Sequence, residues 1–227
     1  MGALSMGVDI GQKVDPTAIA VVEAQWRDAD GRREDYHLVR FLERLPLGTP
    51  YPQVAARVQT VVANVRREAP TAGIQLYVDA TGVGQPVVDL LKGKGTVPVR
   101  GVYFTHGDRR TEQQDGTISL GKAWLVSRLQ ALLQTGRILL PRTAEAHVLA
   151  EELLDYEIRV DEKANDTYGA FKVGSHDDLV TALGLAVQPP KEAGLLFAGR
   201  PPAPPLPTQR RSRQGARDPL DVIRSFR

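Results

Sequence analysis

Short apolar runs divided by turn residues set the rhythm of the N-terminal half of the chain. Gly7 to Gly11 reads as a first strand and Thr17 to Trp26 as a second, with Asp15-Pro16 as turn chemistry between them. Asp28-Ala29-Asp30-Gly31 signals another turn and Tyr36 to Leu45 a third strand, so short turns join three strands into an expected antiparallel meander. The period then changes. From Pro52 onward Val54, Ala55, Val58, Val61, Val62 and Val65 recur at helical spacing, leaving Arg57, Asn64, Arg66 and Arg67 for solvent.

Ile74 to Asp79 is a fourth strand that ends at Ala80-Thr81-Gly82-Val83-Gly84, and a helix begins over Pro86 to Leu91. Val97 to Thr105 is a fifth strand, and a strand-helix-strand unit of this length implies parallel pairing. His106 to Gly121 is polar and glycine-containing and reads as a long mobile loop. Helical spacing returns over Lys122 to Gln134, followed by a short extended piece at Arg137 to Pro141. A helix over Thr143 to Leu154 has Thr143 as a cap, and Tyr156–Val160 with Tyr168–Val173 suggests a hairpin. Ser175-His176-Asp177-Asp178 then opens a last helix, Leu179 to Val187. The pattern predicts an α/β fold around a mixed five-stranded sheet, three antiparallel strands followed by parallel ones, flanked by helices.

Composition adds a boundary. After residue 187 the chain turns Pro-rich and Arg-rich (Arg200-Pro201-Pro202-Ala203-Pro204-Pro205-Leu206-Pro207), which suits an extended or disordered segment. The division is therefore a domain over 1–187 and a tail over 188–227, with Asp218-Pro219 able to cap a short helix carrying Leu220, Ile223 and Phe226. The tail holds eight lysines and arginines against three acids, an excess of +5 that leaves the body at −3 within a net charge of +2. Attraction to nucleic acid must then come from local patches or the tail. With no cysteine, disulfides, thiolate metal sites and cysteine nucleophiles are excluded. No apolar run is long enough to span a bilayer, and Met1 to Ser5 lacks the features of a signal peptide, so a cytosolic location without membrane contact is expected.

The chemistry concentrates in aspartates. Val8 and Ile10 flank Asp9 inside an apolar strand, and a buried carboxylate costs several kcal/mol unless something compensates it, roughly on the scale of a desolvated ion. Asp79 ends another apolar strand, and Asp177 and Asp178 open an apolar helix. Taken singly, Asp79 could serve a turn and Asp177 or Asp178 a helix N-terminus. Together, with the first and fourth strands as neighbours, they form a carboxylate set suited to Mg²⁺ or Mn²⁺. Two such ions roughly 4 Å apart can support phosphodiester hydrolysis. His176 could join or tune that site, or act as a surface or capping residue. Arg109, Arg110 and Lys122 could contact a phosphate backbone, or belong to an ordinary solvated loop. The glycines after Asp79 lack the Gly-Lys-Ser/Thr ending of a nucleotide-hydrolysing loop. Asp89 and Asp155 read as helix-surface charges.

Three segments, Val8-Asp9-Ile10-Gly11 with Asp15-Pro16-Thr17-Ala18, Val78 to Gly84, and His176 to Leu183, resemble the three acidic motifs of the nuclease domain of phage terminase large subunits. Lys122 with its Leu-rich helix and Gly136 to Pro141 are similar to that family as well. The resemblance runs from about Gly7 to Val187 and implies an RNase H-like, resolvase-related fold that cuts double-stranded DNA with two metal ions during genome packaging. It implies Asp9, Asp79 and Asp178 as catalytic metal ligands, Asp177 as an auxiliary ligand, and either neighbour of that last pair as the leading one. It also implies the portal of the procapsid and a small terminase subunit as partners, in the cytoplasm of an infected host cell. Such subunits carry a packaging ATPase, and no segment here matches one. Competing readings are a resolvase-like nuclease outside packaging, a nucleotide-binding lobe of the sugar-kinase and actin type, and a non-catalytic portal adaptor.

Overall fold

The computed structural model describes residues 3–11, 15–29, 32–160, 166–170 and 176–188. Strand β1 (Ala3–Asp9) lies between two partners: β2 (Ala18–Ala29), antiparallel, and β4 (Ile74–Asp79), parallel. β3 (Arg32–Arg44) completes the antiparallel meander beyond β2. β5 (Val99–Thr105) continues the parallel side beyond β4. These are the five expected strands, and they form the middle of a larger sheet. β6 (Arg110–Glu112) and β7 (Ile118–Gly121) extend one edge and β8 (Ile138–Leu139) the other, giving the eight-stranded order β6-β7-β5-β4-β1-β2-β3-β8.

The expected mobile loop at 106–121 is thus largely ordered. β7 pairs with β5, and the chain before it is tied down by Gly121 N–H donating to Arg109 C=O (2.7 Å) and Ala123 N–H to Gly107 C=O (3.2 Å). β9 (Tyr156–Val160) and β10 (Asp166–Ala170) form a separate antiparallel pair where a hairpin was expected, the second strand starting two residues before Tyr168. Residues 161–165, residues 171–175 with Ser175, and the tail with its proposed terminal helix lie outside the described residues.

Strand parity sorts the core into two layers. Leu4, Met6 and Val8 of β1, with Leu76 and Val78 of β4, pack against α1 (Tyr51–Glu68) and α2 (Gln85–Lys92). In α1 the five buried residues are Val54, Ala55, Val58, Val61 and Val62, the stripe that the helical spacing indicated. Each of these valines is worth roughly 1.5–3 kcal/mol when fully buried.

The opposite parity, Ser5, Gly7 and Asp9 on β1 and Tyr77 and Asp79 on β4, faces α5 (Asp178–Ala186). All nine α5 residues are buried, seven of them apolar or glycine, as expected for a helix enclosed on every side. It lies under α3 (Lys122–Gln134) and α4 (Ala144–Asp155). Thr143 caps α4 as the sequence suggested, accepting from Ala146 N–H at 3.3 Å. Gly7 is what lets α5 lie so close to β1: a methyl there would collide with the carbonyl oxygen of Ala182 and the amide of Ala186. Ser5 Oγ donates to Ala186 C=O, so α5 runs back along β1 and its N-terminus arrives beside Asp9. Among the described residues no helix is long and apolar enough to cross a membrane.

Candidate active site

Register places the first two carboxyls. β1 and β4 are parallel with Val8 opposite Val78, so Asp9 and Asp79 are the next residues along neighbouring strands, and parity turns both toward α5. The two carboxyls therefore face each other closely enough to interact. Burial pushes Asp9 well above the ordinary aspartate range, and the charges of Asp79, Asp177 and Asp178 push it further. Asp79 is also raised by burial, against the hydrogen bond from Thr81. Its Oδ1 accepts Thr81 N–H at 2.8 Å, and Thr81 Oγ1 accepts Phe104 N–H at 2.9 Å, which pins the turn. Gly82, at φ 59°, lets that turn close tightly beside the carboxylate, as the glycine-rich spacing implied.

Asp177 and Asp178 are delivered by α5. Asp178 is 1% exposed, and Asp177 stands at the N-cap position just outside the helix without a side-chain capping bond. Asp178 Oδ2 accepts Arg44 Nε at 2.6 Å, whereas Asp178 Oδ1 is buried with no hydrogen-bond partner. Burial raises this carboxyl too, with Arg44 drawing it back. His176 sits on the rim: its Nδ1 is 3.8 Å from Asp178 Oδ1 and 3.6 Å from Asp15 Oδ1 and makes no hydrogen bond.

The charges of Asp79, Asp177 and Asp178 thus all bear on Asp9, and His176 lies at the edge of Asp178. The structure adds Lys122, expected only as a DNA contact. Placed at the first position of α3 with Nζ 5.6 Å from the Phe104 ring, its charge lowers the carboxyls of both Asp9 and Asp79. Arg109 is exposed. Arg110 belongs elsewhere. Its Nε donates to Gln188 Oε1 at 3.2 Å, beyond the far end of α5, about 15 Å from Asp178 at ~1.5 Å of rise per residue. Burial lowers its pKa, and Glu112 lies 3.8 Å away. Asp89 is a helix-surface charge as expected, accepting from Gln85 Nε2 at 2.7 Å.

Two residues were missed at the sequence level. Arg44, the last residue of β3, reaches Asp178 across 134 residues of chain, and its second arm pairs with Glu152. Glu152, 5% exposed, also accepts the N–H groups of Leu179 and Val180 at 3.0 and 3.1 Å, capping α5 from outside. A signal for Glu152 existed: it lies three positions after Leu149 and six after Ala146, on the buried stripe of α4.

The donor set is all oxygen with one imidazole nearby, which suits a hard divalent cation. The unpaired Asp178 Oδ1 and the mutual repulsion on Asp9 are both features that a cation would relieve. Among the described residues, no three acids or histidines stand close enough together, as placed, to hold an ion between them.

The sequence matches the model of the terminase RNaseH-like domain family over residues 6–188. No curated protein matches it significantly. Among solved structures, the large terminase nuclease of thermophilic phage G20c is similar, with 20% identity and a TM-score of 0.56 over 82% of this chain and 81% of that one. The same nuclease with bound cobalt gives 20% identity and a TM-score of 0.57, covering 82% and 80%. The human cytomegalovirus terminase nuclease domain gives 15% identity and a TM-score of 0.50, covering 81% and 83%. With the acidic strands, the closing helix and the sheet order all in place, the chain belongs to the terminase RNaseH-like domain family.

Proposed function

We propose that this chain is a divalent-metal-dependent endonuclease that hydrolyses double-stranded DNA during viral genome packaging. The observation that supports the reading is the pressure of the Asp79, Asp177 and Asp178 charges on the buried Asp9, with one oxygen of Asp178 buried and unpaired. Family membership supports the packaging context, and the cobalt bound to the phage G20c nuclease supports metal use. Asp9, Asp79 and Asp178 would hold Mg²⁺ or Mn²⁺, two ions in the fullest version, with Asp177 auxiliary and His176 at the rim. When bound, such ions supply Lewis acidity toward the phosphodiester and lower the pKa of water.

The chain's own residues do the rest. β1 and β4 fix two carboxylates on one face, and α5 brings the third up to them. Lys122 offsets their charge and offers an ammonium to an incoming phosphate. Arg109, exposed beside the N-terminus of α3, can contact the DNA backbone. We assign the nuclease to 1–187 and leave 188–227 as a basic tail for docking the portal of the procapsid or the small terminase subunit, within the infected cell.

Plasmid cleavage in Mn²⁺ is the test. Asp9→Asn, Asp79→Asn and Asp178→Asn should each abolish it while circular dichroism stays unchanged, and full activity in Asp9→Asn overturns the reading. Deleting everything after Gln188 should preserve cleavage and abolish portal docking.

A further inference from the structure

Arg44 is shared between two buried carboxylates. Its Nε donates to Asp178 Oδ2 at 2.6 Å, while a terminal nitrogen is held by Glu152 Oε1. Glu152 is itself fixed, because its other oxygen accepts the amides of Leu179 and Val180. A guanidinium facing a single carboxylate tends to take both of its oxygens in a fork. Here the fork is split, and Asp178 Oδ1 is left without a hydrogen bond, 3.8 Å from His176 Nδ1.

We infer that Glu152 is a positioning residue: by holding one arm of Arg44 it keeps Asp178 engaged through Oδ2 alone and leaves Oδ1 open for a divalent cation. The inference rests on the metal-dependent reading above and adds a residue outside its carboxylate set. Removing the Glu152 charge frees Arg44 to close over both oxygens of Asp178, so the cost falls on ion binding and not only on the α5 cap.

The test is Mn²⁺ binding to the full chain by isothermal titration calorimetry, which needs no DNA and no turnover. Glu152→Gln is expected to weaken Mn²⁺ roughly tenfold, the scale of outer partners of metal ligands. Adding Arg44→Gln to that variant should recover most of the loss, because no guanidinium remains to cover Asp178. If Glu152→Gln fails to fold by circular dichroism, Glu152→Asp takes its place: its carboxylate keeps the charge but is one methylene too short to hold Arg44, so the same direction and the same rescue are expected. An unchanged Mn²⁺ affinity in the folded variant overturns the proposal, as does a double variant that binds no better than the single one. No saturable Mn²⁺ binding in the unaltered chain overturns the metal reading and this inference with it.

Discussion

Asp9 and Asp79 end adjacent parallel strands one position beyond the Val8–Val78 pair, and the charge of Asp79 helps to push the Asp9 carboxyl up. In an unfolded chain an aspartate titrates near ~3.9. In the fold Asp9 titrates well above that, so over the intervening range the folded protein holds more protons than the unfolded one. Its stability contribution therefore falls as pH rises through that range. At pH 7 in chelator, Asp9→Asn removes the repulsion and should melt higher, by about 2–4 °C if ~1 kcal/mol is relieved in a chain of this size. Mn²⁺ should stabilise the unaltered protein and not the variant. Scanning fluorimetry with EDTA and with Mn²⁺ reads both, and a lower melting point for Asp9→Asn in EDTA counts against the repulsion.

Asp35 gives the opposite sign. Its hydrogen bond with His37 and the charges of His37, Arg137 and Arg128 hold its pKa down to about 2. Arg137 lies 2.5 Å away and Arg128 3.7 Å. That stabilisation is complete above the unfolded pKa and disappears as pH falls toward 2; after solvent screening it is worth on the order of 1 kcal/mol at pH 7. Urea unfolding of Asp35→Asn should show a deficit of that order at pH 7 that shrinks by pH 3. A deficit independent of pH would point to lost packing instead.

Gly7→Val should be more damaging than an ordinary core substitution. Overpacking costs about 1–3 kcal/mol where side chains can adjust, but here the obstruction is the α5 backbone at Ala182 and Ala186. The variant should lose at least ~3 kcal/mol in urea and its Mn²⁺ response together, because α5 carries Asp178. A variant that keeps both would mean that α5 can stand off from β1.

The two loop arginines should separate. Arg109→Ala, at an exposed position, should weaken DNA binding with little loss of stability and flatten the salt dependence by about 0.9 in log–log slope for each phosphate left unneutralised. Arg110→Ala should do the reverse, because its guanidinium is half-buried against Gln188 and Glu112. Salt-titrated binding to a catalytically dead background, beside thermal melts, distinguishes them.

Most of the architecture was legible because its signals are local. β4 and α3 fall where alternation and helical spacing put them, and Asp9 stood out because an apolar strand has no ordinary use for a carboxylate. What escaped depends on partners remote in sequence. β6 and β7 are three and four residues long, too short for a pattern, and exist because β5 offers an edge. Arg44 looks like any charge at a strand end until β3 is laid beside β2, where Ala18 opposite it fixes its face. Lys122 was noticed for its charge, but only the packing of α3 shows that the charge meets acids.

The hydrogen bond between Ser5 and Ala186 joins two positions 181 residues apart. Asp177 and Asp178 travel on that same late helix, so a ribosome has translated nearly all of the described chain before they exist. Until then a nascent chain carries Asp9 and Asp79 alone, and α5 must still find its groove over Gly7, a closure of the long-range kind that folds slowly. If the cluster cuts DNA, that ability arrives only after the rest of the sheet has been made, and a chain that stops before the last helix lacks Asp177 and Asp178.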